Sequence, residues 1–331
     1  MTALEPSAGP ATSGQLTRER LAAIAQSYGA AMVLVLFLVL GSIAFPTFLT
    51  ISNFTNIATQ SSFLLIVAVG MTFVILTGGI DLSVGSVFAL GGVLGAYGSQ
   101  LGVFGGIGLP LVICGTVGLL QGLLVAYAKM APFIVTLAGL LGVRGLVLAA
   151  TNGGSNTPLI PDPAMIAIGQ GGIDGLRWPV LVAIVAVVIG TILLARSRGG
   201  QAILAVGGSE SAATLMGLPV ARVKLTVYIV SGLCAGLAGS LNAAYSSSGV
   251  PTVGVGLELS AISAVVIGGT LLVGGRGNLV GTVAGVLLLS VIQNLINQVG
   301  SLSSSVQSVV SGVFLAIVVI VQTVLSRTQR L

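Results

Sequence analysis

Charged residues are scarce in this sequence. Twelve Lys/Arg and seven Asp/Glu among 331 residues make up only 6% of the chain. A soluble globular protein carries about 25% charged residues, so a water-exposed surface of ordinary composition cannot be built here. Together with a hydrophobic share of 55%, this predicts a protein that lies in a membrane over most of its length.

Other absences exclude whole classes of function. Histidine, the commonest metal ligand and proton relay, is missing. Cys114 and Cys234 stand alone in apolar runs, so neither a disulfide framework nor a metal site is expected. The only lysines, Lys129 and Lys224, belong to no Gly-x-x-x-x-Gly-Lys-Ser/Thr loop, so this chain is not expected to cradle ATP phosphates. We assign no catalytic residue, and without a basic cluster interleaved with aromatics we expect no nucleic-acid partner.

Long apolar runs fill most of the chain. A transmembrane helix needs about 20 mainly apolar residues, and by that criterion the sequence predicts an all-α polytopic bundle of about ten spans. The 49 glycines fit this class, because glycine lets membrane helices approach closely. The candidate spans are residues 25–45, 59–79, 83–104, 108–128, 131–151, 178–196, 222–245, 258–274, 278–298 and 305–326.

Lys and Arg are distributed unevenly between the loops. Cytoplasmic loops carry an excess of these residues, which predicts that both termini are cytoplasmic. Residues 1–24 and 327–331 are then tails around a membrane domain at 25–326. The basic residues assigned to the inside are Arg18, Arg20, Lys129, Arg196, Arg198, Arg222, Lys224, Arg276, Arg327 and Arg330.

The inner connection at 197–221 is long enough to carry structure of its own. Ser209 is expected to N-cap a short helix that ends near Gly217 and Pro219. A short cytoplasmic helix between membrane spans offers a contact point for a partner protein.

Asp81 lies between two apolar runs. Acids at membrane depth are costly and usually face a cavity or a partner, which predicts a broken helix beside a solute path, with Gly78 and Gly79 ending one helix and the next starting near Ser83. The alternative is that Asp81 caps the following helix at the cytoplasmic interface. The residues leave both interpretations open.

Two further charged residues belong to candidate spans. Glu258 opens the eighth span at its outer end, where it either contacts solute or a docking protein or stabilises the helix start through the dipole. Arg144 lies inside the fifth span and needs a partner, for which we predict Asp81; its role is either structural or pathway-lining.

Small residues recur at helical spacing. Four residues apart, they lie on one helix face and allow tight packing. A second regularity is a faint similarity between residues 76–86 and 272–282, which indicates either an internal repeat or chance in a glycine-rich chain. The small pairs are Gly91/Gly95, Gly118/Gly122, Gly232/Gly236 and Gly281/Gly285.

Several motifs resemble a known family. Residues 69–86 read VGMTFVILTGGIDLSVGS and are similar to the signature of ribose-type ABC sugar importer permeases. The resemblance covers residues 59–325 and is strongest to the galactofuranose-type permeases. Relatives usually have Asn near Ser209 and an acid near Ser260, and these departures leave the solute open. The further motifs are APFIVTL at 131–137, SGLCAGLAG at 231–239, AVVIGGT at 264–270 and GGRG at 274–277.

The resemblance implies a function and a set of partners. It implies a multi-pass permease subunit of the bacterial inner membrane, surrounded by lipid, that translocates a monosaccharide such as galactofuranose or ribose. The protein partners would be a second permease, identical or paralogous, a cytoplasmic ABC ATPase, and a periplasmic or lipid-anchored sugar-binding protein. ATP and Mg²⁺ would bind the ATPase, while this chain would bind no cofactor or metal.

The resemblance also assigns roles to residues. A bound sugar needs hydroxyl-matching groups and few charges. The predicted pathway residues are Thr77, Asp81, Ser83, Ser86 and Glu258. The predicted ATPase-coupling residues are Gly207, Ser209, Glu210, Ala212, Ala213, Gly217 and Pro219.

Two other functions are also compatible with the sequence. An ion-coupled secondary transporter would use an intramembrane acid such as Asp81. Within the family, importers of nucleosides or amino acids are the nearer alternative.

Overall fold

The computed structural model describes residues 13–173, 175–299, 309 and 312–313. The chain is helical almost throughout, with one β-hairpin of two-residue strands, β1 (Gly172–Ile173) and β2 (Leu176–Arg177). The helices are α1 (Ser13–Ala44), α2 (Ile51–Leu76), α3 (Val84–Gly98), α4 (Gly102–Ala126), α5 (Pro132–Ala150), α6 (Pro163–Gln170), α7 (Trp178–Arg196), α8 (Arg198–Gly208), α9 (Glu210–Leu215), α10 (Val220–Ser246), α11 (Leu257–Ile267) and α12 (Leu279–Gln298).

Several helices in the described residues have membrane-spanning length. Six helical stretches are long and apolar enough to cross a membrane, with α3 and α4 counted as one stretch. The predicted membrane protein of helical class is thereby confirmed, whereas the count of ten and the orientation of the termini stay predictions. The candidate span at 305–326 and the tail at 327–331 lie outside the described residues, apart from residues 309 and 312–313. At the other end, α1 begins at Ser13, inside the expected N-terminal tail.

Two of the candidate spans are shorter than predicted. Helix α3 has 15 residues and α11 has 11. At about 1.5 Å per residue, α11 does not cross a hydrocarbon core of about 30 Å. The prediction of a full span at 258–274 is therefore wrong: apolar residues continue beyond α11, but the backbone leaves the helical conformation. The span at 83–104 stays a prediction, because α3 continues through a 3₁₀ turn at Ser99–Leu101 into α4.

Helices α2 and α10 form the centre of the bundle. They run in opposite directions, since the ring of Phe63, midway along α2, lies 5.8 Å from the ring of Tyr245 near the end of α10. Near the start of α10, the Tyr228 hydroxyl lies 3.4 Å from the carbonyl oxygen of Ile80, just beyond the end of α2. Helix α2 is buried along most of its length, whereas α5 and α7 expose large apolar side chains such as Leu141. Exposed apolar surface of this kind suits lipid or another membrane subunit.

Close backbone approach holds the centre together. A Cβ on Gly91 would lie 2.5 Å from the carbonyl oxygen of Gly236 and 2.8 Å from its Cα. Every member of the four predicted small pairs likewise abuts another helix, so their packing role is confirmed. The contacts are Gly91 with Gly236, Gly95 with Ser240, Gly118 with Tyr228, Gly122 with Leu225, Gly232 with Cys114, Gly281 with Gly268, and Gly285 with Ala264.

This packing predicts a position-dependent cost of adding one methyl group. Gly91→Ala is expected to destabilise the protein by about 1–3 kcal/mol, because the new Cβ meets backbone that no rotamer change can move. Gly108→Ala on α4 is the matched control, since nothing lies within 4 Å of its Cβ position. A thiol-reactive dye measures unfolding in detergent, because Cys114 is buried in the folded protein. Equal melting temperatures for the two variants would contradict the packing argument.

The two short helices occupy equivalent places in an internal repeat. Each follows a long central helix after a non-helical loop: α3 follows α2 through 77–83, and α11 follows α10 through 247–256. Residues 79–92 align without gaps to 256–269, a different pairing from the predicted 76–86 with 272–282. Matching residues are Gly79/Gly256, Asp81/Glu258, Leu82/Leu259, Ser83/Ser260, Ser86/Ser263, Gly91/Gly268 and Gly92/Gly269.

The orientation of this repeat has a mechanical consequence. Because α2 and α10 are antiparallel, the two loops enter the bundle from opposite ends. The starts of the short helices meet inside it, where a Cβ on Gly85 would overlap the Glu258 carboxylate and the Gly254 carbonyl. Inverted repeats with broken helices are a recurrent architecture of transporters.

Candidate transport and coupling sites

Asp81 is the one charged residue of the loop between α2 and α3, and it is buried. Only 1% of its surface is exposed. One carboxylate oxygen accepts hydrogen bonds from the Ser83 backbone N–H at 3.0 Å and the Ser83 hydroxyl at 2.7 Å. The other accepts from the hydroxyl of Ser231 on α10 at 2.7 Å. The carboxylate thus joins the loop to the opposite half of the repeat.

These contacts bear on both interpretations of Asp81. The predicted break between two helices is confirmed, since α2 ends at Leu76 and α3 begins at Val84. Asp81 also precedes α3 and accepts from an N–H group at its start, as a capping residue would. However, it lies in the protein interior and not at a solvent-facing interface.

The predicted partnership between Asp81 and Arg144 is wrong. The guanidinium of Arg144 donates instead to the carbonyl oxygens of Pro251 at 3.0 Å and Val253 at 2.8 Å. It also lies 3.4 Å from the carbonyl oxygen of Gly85. In the described part of the chain the one ion pair is elsewhere, and Asp81 has serine hydroxyls where a cation was expected.

Arg144 therefore holds the place where the two broken helices meet. Its carbonyl partners come from the start of α3 and from the loop before α11. Glu258 is close enough to Arg144 for an electrostatic interaction. One Glu258 oxygen accepts from the backbone N–H of Gly256 at 3.2 Å, so this acid does stabilise the start of its helix.

The other predicted pathway hydroxyls lie inside the chain. Thr77, Ser83 and Ser86 are buried. The Thr77 hydroxyl donates to the Val74 carbonyl at 2.8 Å, and the Ser86 hydroxyl to the Ser83 carbonyl at 2.8 Å. Their role in a solute pathway stays a prediction.

Sequence reasoning missed several side chains that surround the same loop. The amide oxygen of Gln121 lies 3.2 Å from the Ser83 hydroxyl. The Thr136 hydroxyl lies 3.3 Å from the Ile80 carbonyl, which also faces Tyr228. Thr136 and Ser231 stood in quoted motifs, but nothing in the local sequence of Ser231 indicated a contact with a residue 150 positions away.

The inner connection forms two short helices. Ser209 accepts a hydrogen bond from the Ala212 N–H at 3.3 Å, so its predicted N-cap role is confirmed. Helix α9 ends before Gly217, whose φ of 76° lies in the left-handed region that L side chains rarely adopt. Helix α8 was not predicted, although the cap at Ser197, which accepts from the Gly200 N–H at 3.0 Å, was a local signal for it.

The surface of this connection combines charge and exposed apolar groups. Glu210 at the start of α9 forms an ion pair with Lys224 of α10 at 2.6 Å. Leu215 is 90% exposed and Met216 is 67% exposed at the far end of α9. Ala213 is buried beneath them. Sequence reasoning did not single out Leu215 or Met216, although apolar residues beside a glycine turn in a polar connection are a recognisable signal.

Comparison with known proteins assigns the chain to a protein family. Residues 53–320 match a family described as branched-chain amino acid transport system, permease component. The ribose import permease of Bacillus subtilis strain 168 is 40% identical over 299 residues, covering 90% of this chain and 92% of that protein. The chain belongs to this family of ABC importer permeases.

Further relatives support the assignment of the permease. The ribose import permease of Escherichia coli strain K12 is 39% identical over 293 residues, covering 87% of the chain and 91% of that protein. The fructose import permease of Bifidobacterium longum strain NCC 2705 is 35% identical over 303 residues, with 88% and 89% coverage. No solved structure matches the chain. The permease is therefore an inner-membrane transport subunit. The family match at residues 53–320 includes both broken helices and the α8–α9 connection.

Proposed function

We propose that this permease imports a monosaccharide, such as ribose, galactofuranose or a similar sugar, with ATP hydrolysed by a partner. The α8–α9 connection carries the proposal, because it presents exposed Leu215 and Met216 beside the Glu210–Lys224 ion pair. Such a projection suits docking of a cytoplasmic ATPase. Relatives named as ribose and fructose import permeases support a sugar as the solute.

The proposed complex has four kinds of component. A second permease, identical or paralogous, pairs with this one, and the solute path runs between them. Cytoplasmic ATPase subunits hold ATP and Mg²⁺ and dock on the α8–α9 connection. A periplasmic or lipid-anchored binding protein delivers sugar from outside. In the proposed topology both termini are cytoplasmic.

The proposed mechanism uses the two broken helices. Short helices end in loops that move with less loss of backbone hydrogen bonding than full spans. The loops at 77–83 and 247–256 enter from opposite sides, so a coordinated displacement of both halves opens the path to one side as it closes the other. Thr77, Asp81 and Ser83 lie on the first break, whereas Ser86 lies in the first turn of α3 and Glu258 in the first turn of α11. We retain these five as the proposed pathway residues.

The test is transport in proteoliposomes. The permease is reconstituted with its proposed partner ATPase and binding protein, and uptake of labelled ribose, fructose and galactose is followed with and without ATP. We expect uptake of one sugar that requires both ATP and the binding protein. Uptake of leucine or adenosine in place of a sugar would reassign the solute. ATP-independent uptake by this chain alone, driven by an ion gradient, would overturn the importer.

One acid of the coupling connection gives a sharper test. Glu210→Arg is expected to lower ATP-dependent uptake at least about tenfold, because it places a cation at a helix start beside Lys224. The charge-swapped pair Glu210→Lys with Lys224→Glu restores an ion pair. Recovery of uptake in this double variant would show that the ion pair is what matters, whereas continued loss of uptake would show that the ATPase recognises the acid at position 210. Normal uptake in Glu210→Arg would remove Glu210 from the coupling residues.

Ion-coupled transport is the second candidate, and one observation favours it. Asp81 is buried without a basic partner among the described residues, as proton-binding carboxylates of carriers often are. In that case the permease would transport without ATP, and the charge of Asp81 would be indispensable.

A further inference from the structure

Gly207, near the end of α8, packs directly against the backbone of two other segments. A Cβ placed on Gly207 would overlap the carbonyl group of Leu76 and would lie 2.5 Å from the backbone nitrogen of Gly275. The Gly275 N–H itself donates to the Leu76 carbonyl at 3.0 Å. Three backbone segments therefore meet at one point, with no side chain between them.

Each of the other two segments leads to a broken part of the fold. Leu76 is the last residue of α2, and the loop with Asp81 follows it directly. Gly275 belongs to the loop at 268–278, which joins the short helix α11 to α12. The two loops also touch each other, since a Cβ on Gly274 would lie 2.7 Å from the Gly78 nitrogen.

The nature of the contact matters for force transmission. Side chains at a flexible joint can change rotamer and absorb a displacement. Backbone groups in van der Waals contact cannot, because packed interiors have low compressibility. Movement of α8 at Gly207 is therefore passed on to the end of α2 and to the 268–278 loop together.

We propose that Gly207 is a positioning residue through which movement of the α8–α9 connection reaches both short helices. The contact pushes on the loop that leads to α3 and on the loop that follows α11, so one displacement acts on both halves of the inverted repeat. This inference rests on the proposed function, since it assumes that a partner ATPase moves the connection. It adds the point inside the permease at which that movement is delivered.

Neighbouring glycines provide a matched pair of variants. Gly207→Ala introduces a Cβ into the three-segment contact, whereas nothing lies within 4 Å of a Cβ on Gly208. Both changes occur at the end of α8 and raise helix propensity equally. A difference between the variants therefore reports the contact and not the helix.

The decisive quantity is sugar transported per ATP hydrolysed in proteoliposomes that contain ATPase and binding protein. We expect Gly207→Ala to co-purify with the ATPase and to hydrolyse ATP, while the transport-to-hydrolysis ratio falls at least about tenfold. Gly208→Ala is expected to keep the wild-type ratio. A merely structural defect lowers transport and hydrolysis in parallel and leaves the ratio unchanged. Equal, wild-type ratios in both variants would overturn the inference.

A second variant covers the case in which Gly207→Ala does not assemble or loses both activities. Ile203 of α8 packs against the apolar cluster that contains Leu76. Ile203→Ala weakens the packing of α8 against this cluster without introducing a clash. A lower transport-to-hydrolysis ratio with retained ATP hydrolysis supports the role of the Gly207 contact, whereas a wild-type ratio overturns it. Failure of the proposed function looks different, because the wild-type complex itself would then show no ATP-dependent uptake.

Discussion

We expect Asp81→Asn to retain sugar uptake and Asp81→Ala to abolish it, and this pair has the largest expected contrast. Alanine removes the acceptor of three hydrogen bonds, from the Ser83 N–H, the Ser83 hydroxyl and the Ser231 hydroxyl. Each buried donor left unsatisfied costs about 1–3 kcal/mol. The loop would lose its link to α10, and we expect loss of folded protein as well as of uptake.

Asparagine preserves most of this arrangement. Its amide oxygen accepts both bonds from Ser83, and its NH₂ group donates to the Ser231 oxygen. Ser231 then turns its own proton towards the carbonyl one helical turn before it, as serines in membrane helices commonly do. The shape and most of the hydrogen bonds remain while the charge is lost.

The measurement is ATP-dependent uptake in proteoliposomes together with the melting temperature of each purified variant. A folded Asp81→Asn protein without uptake would contradict the positional role, because it would show that the carboxylate charge is needed. That outcome would favour ion-coupled transport, which requires an acid that binds and releases a cation. The pair of variants therefore separates the two candidate functions as well as the two roles of the residue.

Arg144→Met carries the second large expected effect. Methionine keeps an apolar stem but removes the donors to the carbonyls of Pro251 and Val253. Hydrogen bonds to charged groups contribute about 1.5–3 kcal/mol each, and the substitution removes the donor from both carbonyls at once. We expect uptake to fall at least about tenfold and the 247–256 loop to become accessible to protease.

Arg144→Lys is the graded comparison. An ammonium group can reach one carbonyl but cannot reproduce the planar fork of a guanidinium, so an intermediate loss is expected. Glu258→Gln tests the electrostatic alternative, since Arg144 is bonded to carbonyl groups and not to this acid. If Glu258→Gln is as harmful as Arg144→Met while the loop stays protected, the charge of Glu258 matters more than the anchoring of the loop.

Features with a local cause were predictable from the sequence. Helix α7 spans Trp178–Arg196, matching the candidate span at 178–196, because a continuous apolar run is bounded by a polar loop and by basic residues. The start of α9 at Ser209 was predictable because N-capping involves only the next three residues. The glycine pairs at four-residue spacing marked helix faces that pack closely, since that spacing follows from the helix itself.

The break at Asp81 was predictable, but its surroundings were not. Two glycines and an acid between apolar runs indicate an interruption. The residues that hold it, such as Ser231, come from a helix far along the chain. Arg144 was assigned the wrong partner for the same reason: its acceptors are backbone carbonyls, which every residue carries and which no sequence pattern marks.

The sequence by itself determined that this protein lies in a membrane, which segments are apolar enough to be helices, and to which permease family it belongs. These properties depend on composition and on spacing within about 20 residues. Only the tertiary structure decided that α3 and α11 are short, that their starts meet at Gly85, and that Gly207 contacts Leu76 and Gly275. An apolar run looks the same whether its backbone crosses the membrane or turns back, and the choice depends on buried partners from distant helices.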